Sequence, residues 1–138
     1  ALTSNPAHDE YSEKEALELA LMPGISGNPL AGQERGEWSN SGYGLYMTNR
    51  ICRNGGHFLI CSGGHGIKLS VEGKQNFETK FKGTAIRLFI DTRNLIALRD
   101  RLSTFAAEGR EAAKQLAGAN ESQASTASQM LRRDFQNG

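Results

Sequence analysis

Residues 41–62, SGYGLYMTNRICRNGGHFLICS, constrain this chain more than any other stretch. Glycines stand at both ends of a segment with helical apolar spacing, and a strand pattern follows at once. Leu45, Thr48, Ile51 and Cys52 recur at helical intervals, which predicts a helix over Gly42–Asn54 with one apolar face. Ser41 is placed to cap its start, and Asn54-Gly55-Gly56 ends it by permitting left-handed dihedrals. His57–Ser62 then alternates, with Phe58 and Ile60 on one side. A helix that passes through a short glycine turn into a strand can bury its apolar face by lying back across that strand.

The flanking segments extend this unit. Ser12, three residues before Glu15, forms a capping box, and Ala16, Leu17, Ala20 and Leu21 make an apolar stripe that Pro23-Gly24 ends. Residues 22–41 are rich in Gly, Pro, Ser and Asn and read as a long loop, of the kind that is functional or disordered when it interrupts a domain. Beyond Gly63-Gly64-His65-Gly66, residues 67–72 alternate again, Gly73-Lys74 signals a turn, and Gly83–Asp91 is rich in β-formers. Three strands are therefore expected within His57–Asp91. From Thr92 to about Ala117 the pattern turns helical, with a heptad-like stripe of Leu95, Leu98, Leu102, Phe105, Ala112 and Leu116 interrupted by Gly109. That helix either packs on its own sheet or pairs with a second copy. Gly118–Ser128 reads as a linker or frayed segment, and the MLRRDF run as one or two more helical turns. The expected class is α+β: a two-layer sandwich of a mixed or antiparallel sheet with helices on one face, plus a C-terminal helix.

Composition narrows the function classes. The 138 residues suffice for one domain, and 38% hydrophobic with 22% charged content reads as soluble and globular. A net charge of +1 gives no electrostatic case for nucleic acid or an acidic membrane. Apolar runs such as Phe58–Cys61 are far too short to span a bilayer, and no signal peptide is visible. The start at Ala1 implies loss of an initiator methionine or a cut. Cys52 and Cys61 lie in apolar pattern, which favours two buried thiols in a reducing, cytoplasmic setting over a bridge. His8, His57 and His65 are scattered and form no zinc spacing with the cysteines.

The segment with chemistry in it is Ser41-Gly42-Tyr43-Gly44-Leu45. Glycines let the backbone approach a ligand, and the first turn of a helix offers unpaired N–H groups and the positive end of its dipole. Together these suit phosphates. Taken alone, the same residues also describe a tight turn feeding a packed helix.

The run SGYGLYMTNRICRNGGHFLICSG resembles the second glycine box of GHKL (histidine-kinase-like, Bergerat-fold) ATP-binding domains, in which G-x-G-L opens a helix that ends in Gly-Gly before a strand. Phe81-x-Gly83-Thr84 with Ala85–Ile90 looks like that superfamily's last glycine box and final strand, and EALELALMPGISG is similar to the helix and lid start of a stand-alone branch. The resemblance covers roughly residues 1–91, as a partial ATP-binding domain, with 92–138 as a helical extension and tail. It implies ATP with magnesium as the ligand of the intact parent. It places the phosphates on the backbone of Gly42, Tyr43, Gly44 and Leu45, with Asn40 and Ser41 flanking them. Thr84 would lie beneath the adenine, residues 22–41 would be the ATP lid, and Gly24 and Gly27 its hinge.

The departures bear on activity. The family's Asp-x-Gly-x-Gly box, whose aspartate contacts the adenine amino group, does not occur in the sequence, and no helix precedes residue 12 to carry its magnesium asparagine and catalytic acid. Glu111 and Gln115 have helical spacing but follow the last strand. The chain therefore looks like a domain that begins after its first glycine box. Whether the parent is an ATPase or a protein kinase is not written in these residues, and the chain alone is expected to be inactive. The alternative is a protein-interaction module of this fold that binds no nucleotide, with self-association through the sheet face or the C-terminal helix as the expected assembly. Arg50 and Arg53 read as a solvated face or a partner contact, Trp38 as a loop anchor or a lid aromatic, Tyr43 as a pocket wall, and His57 and His65 as strand-end surface residues.

Overall fold

A computed structural model describes residues 11–27, 41–116 and 119. The elements run α1 (Glu13–Ala20), α2 (Gly44–Cys52), β1 (His57–Ser62), β2 (His65–Ser70), β3 (Gly73–Glu78), β4 (Thr84–Phe89), a 3-10 turn at Thr92–Asn94, and α3 (Leu95–Ala113). The sheet is antiparallel throughout, in the order β3-β2-β1-β4. This is the expected α+β class, with helices on one sheet face and a C-terminal helix. The lid segment 28–40 with Trp38 and Asn40, most of the Gly118–Ser128 linker, and MLRRDF lie outside the described residues.

The local signals act as their chemistry dictates. Ser12 accepts from the Glu15 N–H, and the Glu15 carboxylate accepts in return from the Ser12 N–H at 2.9 Å, closing the capping box. These bonds hold the Glu15 carboxyl below its ordinary range. Gly55, at φ +97°, turns the chain out of α2. Gly63-Gly64 forms a two-residue turn that sets Ser62 opposite His65.

Register decides the core. Phe58 pairs with Leu69 and Leu88, and Ile60 with Ile67 and Ile86, so all six share the helix-side face. Leu17 of α1, Leu21 just after it and Cys52 of α2 bury Phe58, Ile60, Ile67 and Leu69. Cys61 faces the other side, and both cysteines are free and buried.

Three expectations are corrected here. The segment His57–Asp91 holds four strands, because Gly73–Glu78 pairs with β2 through a turn at Val71-Glu72. Its sequence, GKQNFE, carries one large apolar residue, so no alternation betrays it. Ser41 does not cap α2: the N-cap is Tyr43, with no side-chain bond to the helix start, while Ser41 is buried. The described residues of the C-terminal helix pack chiefly on α2. Leu98, Leu102, Phe105 and Ala113 form a second core with Tyr43 and Met47, joined by Tyr46 and Ile51. Ile51 thus belongs to this second core, apart from Leu45 and Cys52, which pack on the sheet-side core. A Cβ on Gly109 would come within 2.5 Å of the Tyr46 ring, so the glycine that interrupts the heptad stripe is the notch that seats this tyrosine.

Candidate functional site

The glycine predicted to open the phosphate box, Gly42, meets Gly24, one of the predicted lid hinges. Gly24 and Gly42 both adopt left-handed dihedrals, φ +76° and +73°. Their backbones touch: a Cβ on Gly42 would lie 2.6 Å from the carbonyl carbon of Gly24 and 2.9 Å from Ile25 N. Neither the dihedral nor the space admits a side chain there. The foot of the loop is packed, with Pro23, Gly24, Ile25 and Ser41 buried and Gly27 half-buried.

This contact fixes the start of α2, where the N-cap residue Tyr43 makes no side-chain bond to the helix. In a nine-residue helix the first N–H groups have no partner one turn back, so they face outward with the positive end of the dipole. Gly44 is exposed, and a Cβ on it would meet nothing within 4 Å. Its carbonyl accepts from Thr48 Oγ1 at 2.8 Å. Leu45 packs on the sheet-side core. Asn49, which sequence reasoning passed over, is the tie between helices: its buried amide donates to Leu45 O at 3.1 Å and to Leu21 O at 3.4 Å. Asn is a common surface residue, so only its contact across 28 positions reveals the role.

Tyr43 departs from its expected place. It is fully buried in the α2–α3 core, edge-on to Tyr46 at 6.3 Å between ring centroids, so it forms no pocket wall. Among the described residues its hydroxyl has no hydrogen-bond partner, and burial pushes its pKa up. Thr84 begins β4, exposed, with its hydroxyl 3.0 Å from Ser62 Oγ. Because α2 turns back through residues 53–56 into β1, the start of α2 and the Ser62–Thr84 pair lie toward the same end of the layer. At that end the Gly64 N–H donates to Glu13 Oε2 at 3.4 Å, tying the hairpin turn to α1.

Comparison of the chain with family models, with curated proteins and with solved structures finds no match.

The residues present suit part of a nucleotide. A helix start beside an open glycine fits phosphate oxygens. Among the described residues, no three His, Cys, Asp or Glu side chains are grouped to hold a metal ion, so magnesium would draw its ligands from elsewhere. The remaining candidates have structural partners. Arg50 is ion-paired with Glu108 and lies over the Phe105 ring, and Arg53 donates to Ser70 O at 3.2 Å, so the expected solvated face is a set of internal ties. His57 stacks on Phe89 at 5.1 Å, with its Nε2 2.8 Å from Arg87 Nη2. Half-buried His65 opens β2. No described helix is long and apolar enough to cross a membrane.

Proposed function

We propose that this chain is the lid-and-phosphate portion of a histidine-kinase-like (GHKL) ATP-binding domain, working in the cytoplasm within a parent that binds ATP with magnesium. The observation that carries the reading is the Gly24–Gly42 contact, which brings both glycines of the proposed lid and phosphate box to the start of α2. Backbone glycine at that position leaves room for phosphate oxygens, and Thr84 at the same end of the sheet offers a hydroxyl toward a base. The adenine aspartate is missing from the sequence, so the chain by itself grips the triphosphate alone.

The test is a titration of the isotope-labelled chain with ATP. Calorimetry should show no micromolar binding. Amide resonances of Gly42, Gly44 and Leu45 should nevertheless shift at millimolar ATP, and Gly44→Val should erase the shift by filling the open approach. Motionless amides at these positions, or shifts unchanged in the variant, reject the assignment.

One observation favours the second reading, a protein-interaction module. Ile86 and Leu88 are each 48% exposed although they share a sheet face with buried Ile60 and Phe58, and Ile90 beyond them is 41% exposed. A small domain seldom leaves such a contiguous apolar patch in water. Leu98, Leu102 and Phe105 of the α3 stripe are already buried in the core shared with α2, which leaves this sheet face as the surface for self-association. Sedimentation decides it: a cooperative 15.0 kDa monomer at micromolar concentration rejects the dimer.

A further inference from the structure

We propose that the groove between the C-terminal end of α2 and the adjoining part of α3 is an anion site for a phosphate dianion, free or carried on a phosphomonoester. The groove has a volume of about 270 Å³, and Arg50, Arg53 and Arg101 line it together with Gly55 and Phe105. Three arginines lining one concavity stand out in a chain whose net charge is +1.

The arginines are held in place before any ligand arrives. Arg50 and Arg101 both lie over the ring of buried Phe105, at 4.6 and 5.1 Å from its centroid, which orders their planes and strips water from one face of each. Arg53 spends Nε on the Ser70 carbonyl, and Arg101 spends Nη1 on Asn54 Oδ1. A guanidinium carries five N–H donors, so among the described residues both terminal nitrogens of Arg53 and Nη2 of Arg101 are left for a ligand.

The charge balance selects the class of anion. Glu108 answers Arg50, which leaves two uncompensated positive charges among the three arginines. Asp91, beside Gly55, is already gripped by Arg93 through two bonds of 2.9 and 2.8 Å. The negative end of α2 and the positive start of α3 meet here, through Asn54 Nδ2 donating to Asn94 O at 3.4 Å. Helix ends carry about half a charge each, of opposite sign, so they nearly cancel and the arginines set the potential. Two unanswered charges with forked donors match a phosphate carrying about two negative charges better than a singly charged carboxylate. The groove lies at the opposite end of α2 from the glycine site and does not depend on the nucleotide reading.

The test uses the full chain, isotope-labelled, titrated at constant ionic strength with inorganic phosphate, with O-phosphoserine and with acetate. Amides of Asn54, Gly55, Val71 and Arg101 should shift saturably with the phosphates and not with acetate. Arg101→Gln, at an exposed position, should weaken binding roughly tenfold. Arg101→Lys should fall between, keeping the charge and losing the fork. Equal affinity for both phosphates assigns free phosphate, and tighter binding of O-phosphoserine assigns a phosphomonoester. An equal response to acetate, an unchanged affinity in Arg101→Gln with native circular dichroism, or shifts confined to Gly42–Leu45 would each overturn the proposal. The last result would place anions at the glycine end alone.

Discussion

The two edges of the sheet are built on opposite plans. β3 is polar along its length: Lys74 pairs with Glu18 at 2.6 Å, Asn76 reaches the same carboxylate, and Phe77 folds over Gly66 of the neighbouring strand. β4, on the other side of β1, presents Ile86, Leu88 and Phe89 between 48% and 55% exposed. An edge with charged side chains resists further pairing, whereas an apolar, unguarded one invites it. Among the described residues, the sheet is closed off by polar contacts at β3 and left apolar at β4. The helices follow the same asymmetry, since α1 packs on β2, α2 on β1, and α3 on α2.

The largest effect expected from this contrast separates β1 from β4 on one face. Phe58→Ala should cost about 3–5 kcal/mol in urea unfolding, the usual loss for a large buried aromatic. Leu88→Ala, its register neighbour, should cost under about 1 kcal/mol because half of that side chain already lies in water. Equal losses would mean that β4 is covered in solution. Next comes Leu88→Lys, which should leave the melt almost unchanged and convert any dimer seen by sedimentation to a monomer of 15.0 kDa. A dimer that survives it does not use this face.

Alkali should find the sealed side of the molecule. Burial pushes the Cys52 thiol up from its ordinary 9.0, and the Tyr43 and Tyr46 phenols up from 10.0. Above those ordinary values the unfolded chain binds fewer protons than the folded one, so stability is complete below 9.0 and falls as pH climbs through the raised values. Urea midpoints measured upward from neutral pH should trace this fall, and Cys52→Ala should delay its onset to the tyrosine range. An onset that does not move would assign the loss to other groups. The smallest effect belongs to the guarded edge. Lys74→Ala breaks a half-exposed pair with Glu18 and should cost no more than about 1 kcal/mol.

What the sequence discloses follows the range of the interaction concerned. The capping box, the Gly55 stop and the alternation of β1, β2 and β4 are local, and each is readable from a few neighbouring residues. β3 is not, because its strand state comes from pairing with β2 and its own side chains carry no period. The packing of α3 was hidden for another reason. α2 has two apolar faces, and Tyr43, Met47 and Ile51 look like incidental residues until a second helix is laid over them. At the glycine site, the need for glycine was legible at positions 24 and 42, but their meeting was not. The arginine groove escaped notice because α2 and α3 each supply residues that look like ordinary surface charges when read alone.

The Gly24–Gly42 contact also has a meaning for the chain as a polymer. It ties the two ends of an excursion together, so the entropy of closing that loop is already lost in the folded state. Closure cost grows only logarithmically with contour length, by about 0.6 kcal/mol for each doubling. Lengthening the chain between these glycines is therefore cheap, whereas a side chain at either one would prise the knot apart. Insertions between positions 24 and 42 should therefore leave the fold's stability nearly unchanged, provided the two glycines remain.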